Sequence, residues 1–197
     1  MKALLSGVWS WSVWQADKAV DFNGYYVQTG AGALLIDPPP LSDAEAAQIE
    51  AAGPPTQILL TNRDHRRAAP AARERFGAAL LAHEADAPLI DVPVDGTFSD
   101  GEELLGLRVV HLPDQKSPGE CALYWPQRKT LFLGDALWGK PAGALTMLPA
   151  AKYADVAKAR AGLARLGALE VEAVLMGDGT PILESGGQAL HAFLAGT

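Results

Sequence analysis

The chain has a single cysteine, Cys121, among 197 residues, which excludes an internal disulfide and a zinc site built from several thiolates. Cys121 stands between Glu120 and the apolar Ala122-Leu123-Tyr124-Trp125 and reads as a buried strand thiol. Long apolar runs are missing too, since nothing approaches the ~20 residues needed to cross a bilayer. The opening stretch, Met1 to Trp14, is broken by Ser6, Ser10 and Ser12, and no small-residue cleavage site follows it. Positive charge is short: 16 Lys and Arg face 23 Asp and Glu, for a net charge of −7. The one dense basic run, Arg63 to Arg75, is interrupted by Asp64 and Glu74. Nucleic acid and anionic membrane are poor partners for such a chain, and a cytoplasmic location is expected. What the chain does have is apolar content, 49% of its residues, which excludes disorder and suits one domain over residues 1–197.

From Val8 to Asp37 the pattern has period two, with Trp9, Trp11 and Val13 on one strand face, then Tyr25-Tyr26-Val27 and Ala33-Leu34-Leu35-Ile36 around Gly30-Ala31-Gly32. Antiparallel strands joined by tight turns are expected there. Ser42 and Glu45 form a capping box, and Gly53-Pro54-Pro55 ends the helix it starts. Strands and helices then alternate. Strands are expected at Ile58 to Leu60, Ala79 to Ala82, Leu107 to His111, Cys121 to Trp125, Thr130 to Leu133 and Ala173 to Met176. Helices are expected from about Arg67 to Phe76, Lys152 to Leu166 and Gln188 to Leu194. Hairpins first and strand–helix units later suit two mixed sheets packed face to face with helices outside.

The polar groups gather where apolar strands stop. Thr61-Asn62-Arg63-Asp64-His65-Arg66-Arg67 follows Ile58-Leu59-Leu60; Lys116-Ser117-Pro118-Gly119, Leu133-Gly134-Asp135 and Met176-Gly177-Asp178-Gly179 come later. Such strand ends are where α/β proteins place their chemistry. In order and spacing, with Ile36-Asp37 and Phe76-Gly77-Ala78, this set resembles the strand-end loops of the metallo-β-lactamase superfamily. That resemblance implies a four-layer αββα sandwich and a hydrolase whose loops hold two zinc ions. The superfamily pattern is Thr-His-x-His-x-Asp-His, then an His-Thr-Pro-Gly loop, a strand-end Gly-Asp and a late Gly-His-Gly. Aligned without a gap, Asn62 and Asp64 take the first two histidine positions. Arg66 and Arg67 then replace the aspartate and third histidine, Lys116 the second-loop histidine and Asp178 the last, while Asp135 is retained. In a second register, two residues shorter, Asp64-His65 match the pattern's Asp-His. Asp64, His65, Asp135 and Asp178 then form one surviving metal site.

Two states of this site stay open. Under the first register Asp64, Asp135 and Asp178 face Arg66, Arg67 and Lys116, and the charges cancel without metal, as buried carboxylates require. Under the second, one imidazole and three carboxylates suit a single zinc, iron or manganese ion. A two-zinc centre is not expected, because ligand positions hold cations. For His65 the ligand, general-base and loop-residue readings all stand, whereas His83, His111 and His191 read as structural. As an enzyme, the chain is expected to hydrolyse an ester, thioester or similar acyl bond. Asp64, His65 and Asp135 would be catalytic, and Asn62, Arg66, Arg67, Lys116 and Trp138 would contact substrate. As a non-catalytic protein, it would use the same cations to capture a small anionic ligand. A homo-oligomer stays open, with the tryptophan strand as a contact surface.

Overall fold

The structure is a computed structural model and describes residues 1–196. Its first sheet runs in sequence order through β1 (Lys2–Leu5), β2 (Val8–Gln15), β3 (Val20–Thr29), β4 (Gly32–Ile36), β5 (Gln57–Leu59), β6 (Ala79–His83) and β7 (Gly96–Phe98). The pairings are antiparallel as far as β4 and parallel from β4 to β7. The second sheet has the order β12-β11-β10-β9-β8, with β8 (Glu103–Leu104), β9 (Leu107–His111), β10 (Cys121–Trp125), β11 (Thr130–Leu133) and β12 (Ala173–Met176). Only β11 and β12 pair in parallel there. Helices α1 (Asp43–Ala52) and α2 (Ala69–Phe76) connect strands of the first sheet, and α3 (Val156–Leu163) and α4 (Gly186–Ala195) flank β12 in sequence. Two mixed sheets with flanking helices make the expected sandwich.

Alternation along the strands builds the layers, because successive side chains point to opposite faces. Leu34, Ile36 and Leu59 join Phe132 and Leu175 between the sheets, while Leu35, Ile58 and Leu60 pack with Ile49 of α1 and Ala69 and Ala72 of α2. On the other side Leu131, Leu133, Val174 and Met176 meet Leu163 and Leu190. Each such side chain contributes roughly 1.5–3 kcal/mol on burial.

Two local expectations need correction. The helix expected from Lys152 to Leu166 is shorter, because the Asp155 side chain accepts hydrogen bonds from the Ala157 and Lys158 amides and starts α3 at Val156; a 3₁₀ turn, Ala164–Ala168, ends it. The stretch between β6 and β9, where no strand is expected, contains two short ones, β7 and β8. The first tryptophan strand keeps its expected face, with Trp9 and Trp11 packed in one cluster, while Trp14, on the opposite face, is 60% exposed.

Candidate functional site

The parallel pairs decide where the site lies. Parallel neighbours end at the same edge, so Asp37, just after β4, lies beside Thr61, just beyond β5, and Asp135 beyond β11 lies beside Asp178 beyond β12. The Thr61 amide and hydroxyl both donate to Asp37, at 2.8 and 2.5 Å. Across the sandwich, β3 pins the last loop: the Tyr25 hydroxyl donates to the Met176 carbonyl, and the Asn23 side chain donates to the carbonyls of Met176 and Gly179.

Between Thr61 and α2 the chain makes a 3₁₀ turn, Arg63–Arg66, whose start is set by Asn62: its side-chain oxygen accepts from the Asp64 and His65 amides. In a 3₁₀ helix residues three apart eclipse, so Asn62 and His65 share the buried face and Arg63 and Arg66 share the outer one. His65 therefore enters the site. Its Nδ1 donates to Asp37 Oδ2 at 2.9 Å, and its Nε2 lies 3.5 Å from Asp135 Oδ1 and 3.8 Å from Asp178 Oδ1. Gly177 leaves room for the ring, since a Cβ there would meet His65 Cε1 at 2.6 Å. Arg67 follows with φ +34°, a conformation that L side chains rarely adopt, and its guanidinium turns back inward. Its Nη2 donates to Asp178 Oδ1 at 2.5 Å and stands 3.2 Å from His65 Nε2, while Nη1 donates to the Asn23 carbonyl at 2.8 Å.

Lys116 closes the remaining side. Its Nζ lies 2.7 Å from Asp135 Oδ2 and 2.8 Å from Asp64 Oδ2, and the Trp138 indole donates to Asp135 Oδ1 at 3.3 Å. Asn62, Asp64, His65, Arg67, Lys116, Asp135, Trp138 and Asp178 thus come together. Arg66 does not: it pairs with the exposed Asp91 on the outer face. Asp64 holds Lys116 and is not among the candidate ligand atoms, which are those of His65, Asp135 and Asp178, all within 4.8 Å of one another. The imidazole among them is the one supplied by the shorter register. Three members went unrecognised in the sequence. Asp37 was visible as an aspartate after an apolar strand, the same signal as Gly134-Asp135. Lys18, 4.0 Å from Asp178 Oδ2, comes from the β2–β3 hairpin and carries no such signal. Glu120, fully buried, accepts from Asn62 Nδ2 and the Ala136 amide.

The electrostatics follow from this packing. Burial and the Arg67 guanidinium push the His65 imidazole down, but Asp37 and Asp135 outweigh them and raise it to about 10. Burial raises Asp135, yet His65 and Lys116 hold it far below the usual carboxylate range. Burial works against the Lys116 ammonium, and Asp135 and Asp64 together raise it. Asp178 shifts upward despite its ion pair, because burial outweighs His65 and Arg67; Arg67 reaches only one of its oxygens, and Oδ2 is buried without a hydrogen-bond partner. Burial, followed by Asp135, raises Glu120 well above its ordinary value.

A family profile described as the metallo-beta-lactamase superfamily matches residues 1–197. The chain belongs to that superfamily. Among solved structures it is similar to TTHA1623 in a di-iron-bound form, at 29% identity and a TM-score of 0.72 over 91% of this chain and 96% of that one. It is also similar to a metallo-beta-lactamase from Pontibacter korlensis, at 21% identity and a TM-score of 0.78 over 98% and 96% of the two chains. The BLEG-1 B3 metallo-beta-lactamase matches at 22% identity and a TM-score of 0.71 over 94% and 99%. No curated protein matches the sequence. The general class is hydrolase-like, and among the described residues no helix is long and apolar enough to cross a membrane.

The superfamily's dinuclear centre does not fit these residues. Asn62, at the first histidine position, is committed to capping the turn and to Glu120, and the Lys116 ammonium stands where a ligand would be needed. A single ion fits the donor chemistry of His65, Asp135 and Asp178. Asp37 holds the Nδ1 proton and Nε2 faces the two carboxylates, so an ion would take the place of the Nε2 proton.

Proposed function

We propose that the chain acts on an ester, thioester or similar acyl bond through a rebuilt, metal-poor site. One observation carries the reading: Lys116 Nζ bridges Asp64 and Asp135 at 2.8 and 2.7 Å where the site opens to solvent. Of the residues expected to be catalytic, Asp64 suits the role of base in the metal-free protein. His65, raised to about 10, keeps its proton at neutral pH and is 3% exposed. Asp64 lies at the mouth with a 44% exposed side chain, able to take a proton from water. Lys116 faces the same space and stabilises the negative charge developing on the acyl oxygen. His65 acts through its neighbours: its charge keeps Asp135 ionised, and Asp135 holds the Lys116 ammonium in place. Trp138 fixes a further Asp135 contact through its indole N–H. A single zinc, iron or manganese ion held by His65, Asp135 and Asp178 would supply a Lewis acid that lowers the pKa of water.

The test is hydrolysis of p-nitrophenyl esters and an N-acetylcysteamine thioester by the wild type, Asp64→Asn and Lys116→Met. Each variant is expected to lose on the order of 10²-fold in kcat/KM, as for a lost base or oxyanion donor. Turnover by the wild type no faster than by the variants would refute the catalytic reading. A second reading, a non-catalytic protein that captures a small anion, is favoured by the closure of the inner site, where Asp135 is 5% and Asp178 0% exposed. Anion binding to Lys116 without turnover would support it.

A further inference from the structure

Arg67 donates to the carbonyls of Asn23, Asp37 and Gly177 and lies over the Phe22 ring, yet its pairing with Asp178 is incomplete. Its side chain is 7% exposed and its Nε is buried without a partner, as is Oδ2 of the Asp178 it contacts. A guanidinium and a carboxylate ordinarily satisfy each other through two parallel bonds, yet here one bond leaves an unpaired donor and an unpaired acceptor. The backbone at φ +34° is bent into an uncommon conformation to place the group there. Its Nη2 donates to Asp178 Oδ1 at 2.5 Å and crowds His65 Nε2 at 3.2 Å, so it stands against two of the three candidate ligand residues. Arg67 also lines a groove of about 720 Å³ with Arg63, Asp64, Arg66 and Asp91, which gives a displaced guanidinium somewhere to go.

We propose that the Arg67 guanidinium and a single divalent cation are mutually exclusive occupants of the pocket formed by His65, Asp135 and Asp178. This rests on the single-ion site described above. Arg67 thereby sets how tightly the protein holds metal: with the guanidinium in, Asp178 is charge-paired and the pocket is closed; with the ion in, Arg67 lies in the outer groove. The two compete for the same atom, because Asp178 Oδ1 is the oxygen that faces His65 Nε2 at 3.8 Å and the one that Arg67 now holds.

Zn²⁺ titration of chelator-treated protein by calorimetry tests this, with no substrate present. The wild type is expected to bind one equivalent, Arg67→Ala at least tenfold more tightly, and His65→Ala not at all. Equal affinity of wild type and Arg67→Ala overturns the proposal, as does the absence of binding in both. Should Arg67→Ala not fold, the wild type decides by NMR with ¹⁵N-labelled arginine. The slowly rotating guanidinium signal missing from Arg67→Lys is expected to vanish at one equivalent of Zn²⁺, and its persistence with Zn²⁺ bound overturns the proposal. Failure to hydrolyse esters with Zn²⁺ bound and Arg67 released defeats the acyl-hydrolase reading and leaves this proposal standing.

Discussion

Removing the Asp37 carboxylate is expected to unfold much of what holds the site. Asp37 is 1% exposed and accepts three hydrogen bonds, from the Thr61 amide at 2.8 Å, the Thr61 hydroxyl at 2.5 Å and His65 Nδ1 at 2.9 Å. In Asp37→Ala the imidazolium keeps Asp135 at 3.5 Å but loses its shorter partner, and breaking a buried pair this way costs about 3–5 kcal/mol. The backbone adds to it: Asp37 has φ +47°, tolerated by aspartate, whereas alanine there costs roughly 1–2 kcal/mol more. The sum, about 5 kcal/mol, is comparable with the whole stability of a marginal domain, ~5–15 kcal/mol. Asp37→Asn separates the contributions. It keeps an acceptor for the Thr61 amide and tolerates the positive φ, so it should lose about half as much. The assay is urea unfolding of chelator-treated protein, read as a shift in midpoint at constant slope. A loss below about 1 kcal/mol for Asp37→Ala would place Asp37 and His65 outside the stabilising network and refute the reasoning.

Two further outcomes follow from packing and titration. Gly134→Ala should cost about 1–3 kcal/mol, because the added methyl meets Asn62 Nδ2 and Glu120 Oε1 at 2.6 Å and the Thr61 hydroxyl closer still, while Gly30→Ala, with nothing within 4 Å, should be near neutral; equal melting temperatures for the two would contradict the crowding. His83, stacked on His111 at 4.5 Å, has its pKa lowered by burial and then by His111, against weaker opposing effects of Glu84, Asp86 and Asp100. The unfolded chain then takes up the proton first, near pH ~6.5, so stability is complete above that pH and declines as pH falls below it. His83→Gln should flatten the wild-type decline between pH 7.5 and 5.5, and parallel slopes in the two proteins would show that His83 is not its source.

How much could be read before folding differs from residue to residue. Asp135 was legible because an aspartate ending the apolar Leu131-Phe132-Leu133 has to find a partner, and it found Lys116. Asp37 offers the same signal after Leu34-Leu35-Ile36, and its partners are Thr61 and His65. Arg66 was misplaced because charge alone does not say which way a side chain faces; one turn of 3₁₀ helix sends it to Asp91.

The sequence by itself determined the two sheets, the flanking helices and the set of loops at one edge, since period-two alternation and strand-ending Gly-Asp pairs are local signals that the chain carries with it. Which groups meet was decided only in three dimensions. His65 and Asp37 are 28 residues apart, and Arg67 and Asp178 are 111. Their contacts exist because β4 lies parallel to β5 and β11 to β12, and because the Asn62-capped turn puts the imidazole on the inner face and Arg66 on the outer. A shift of one residue in that turn would exchange them, and no residue-by-residue pattern encodes the difference.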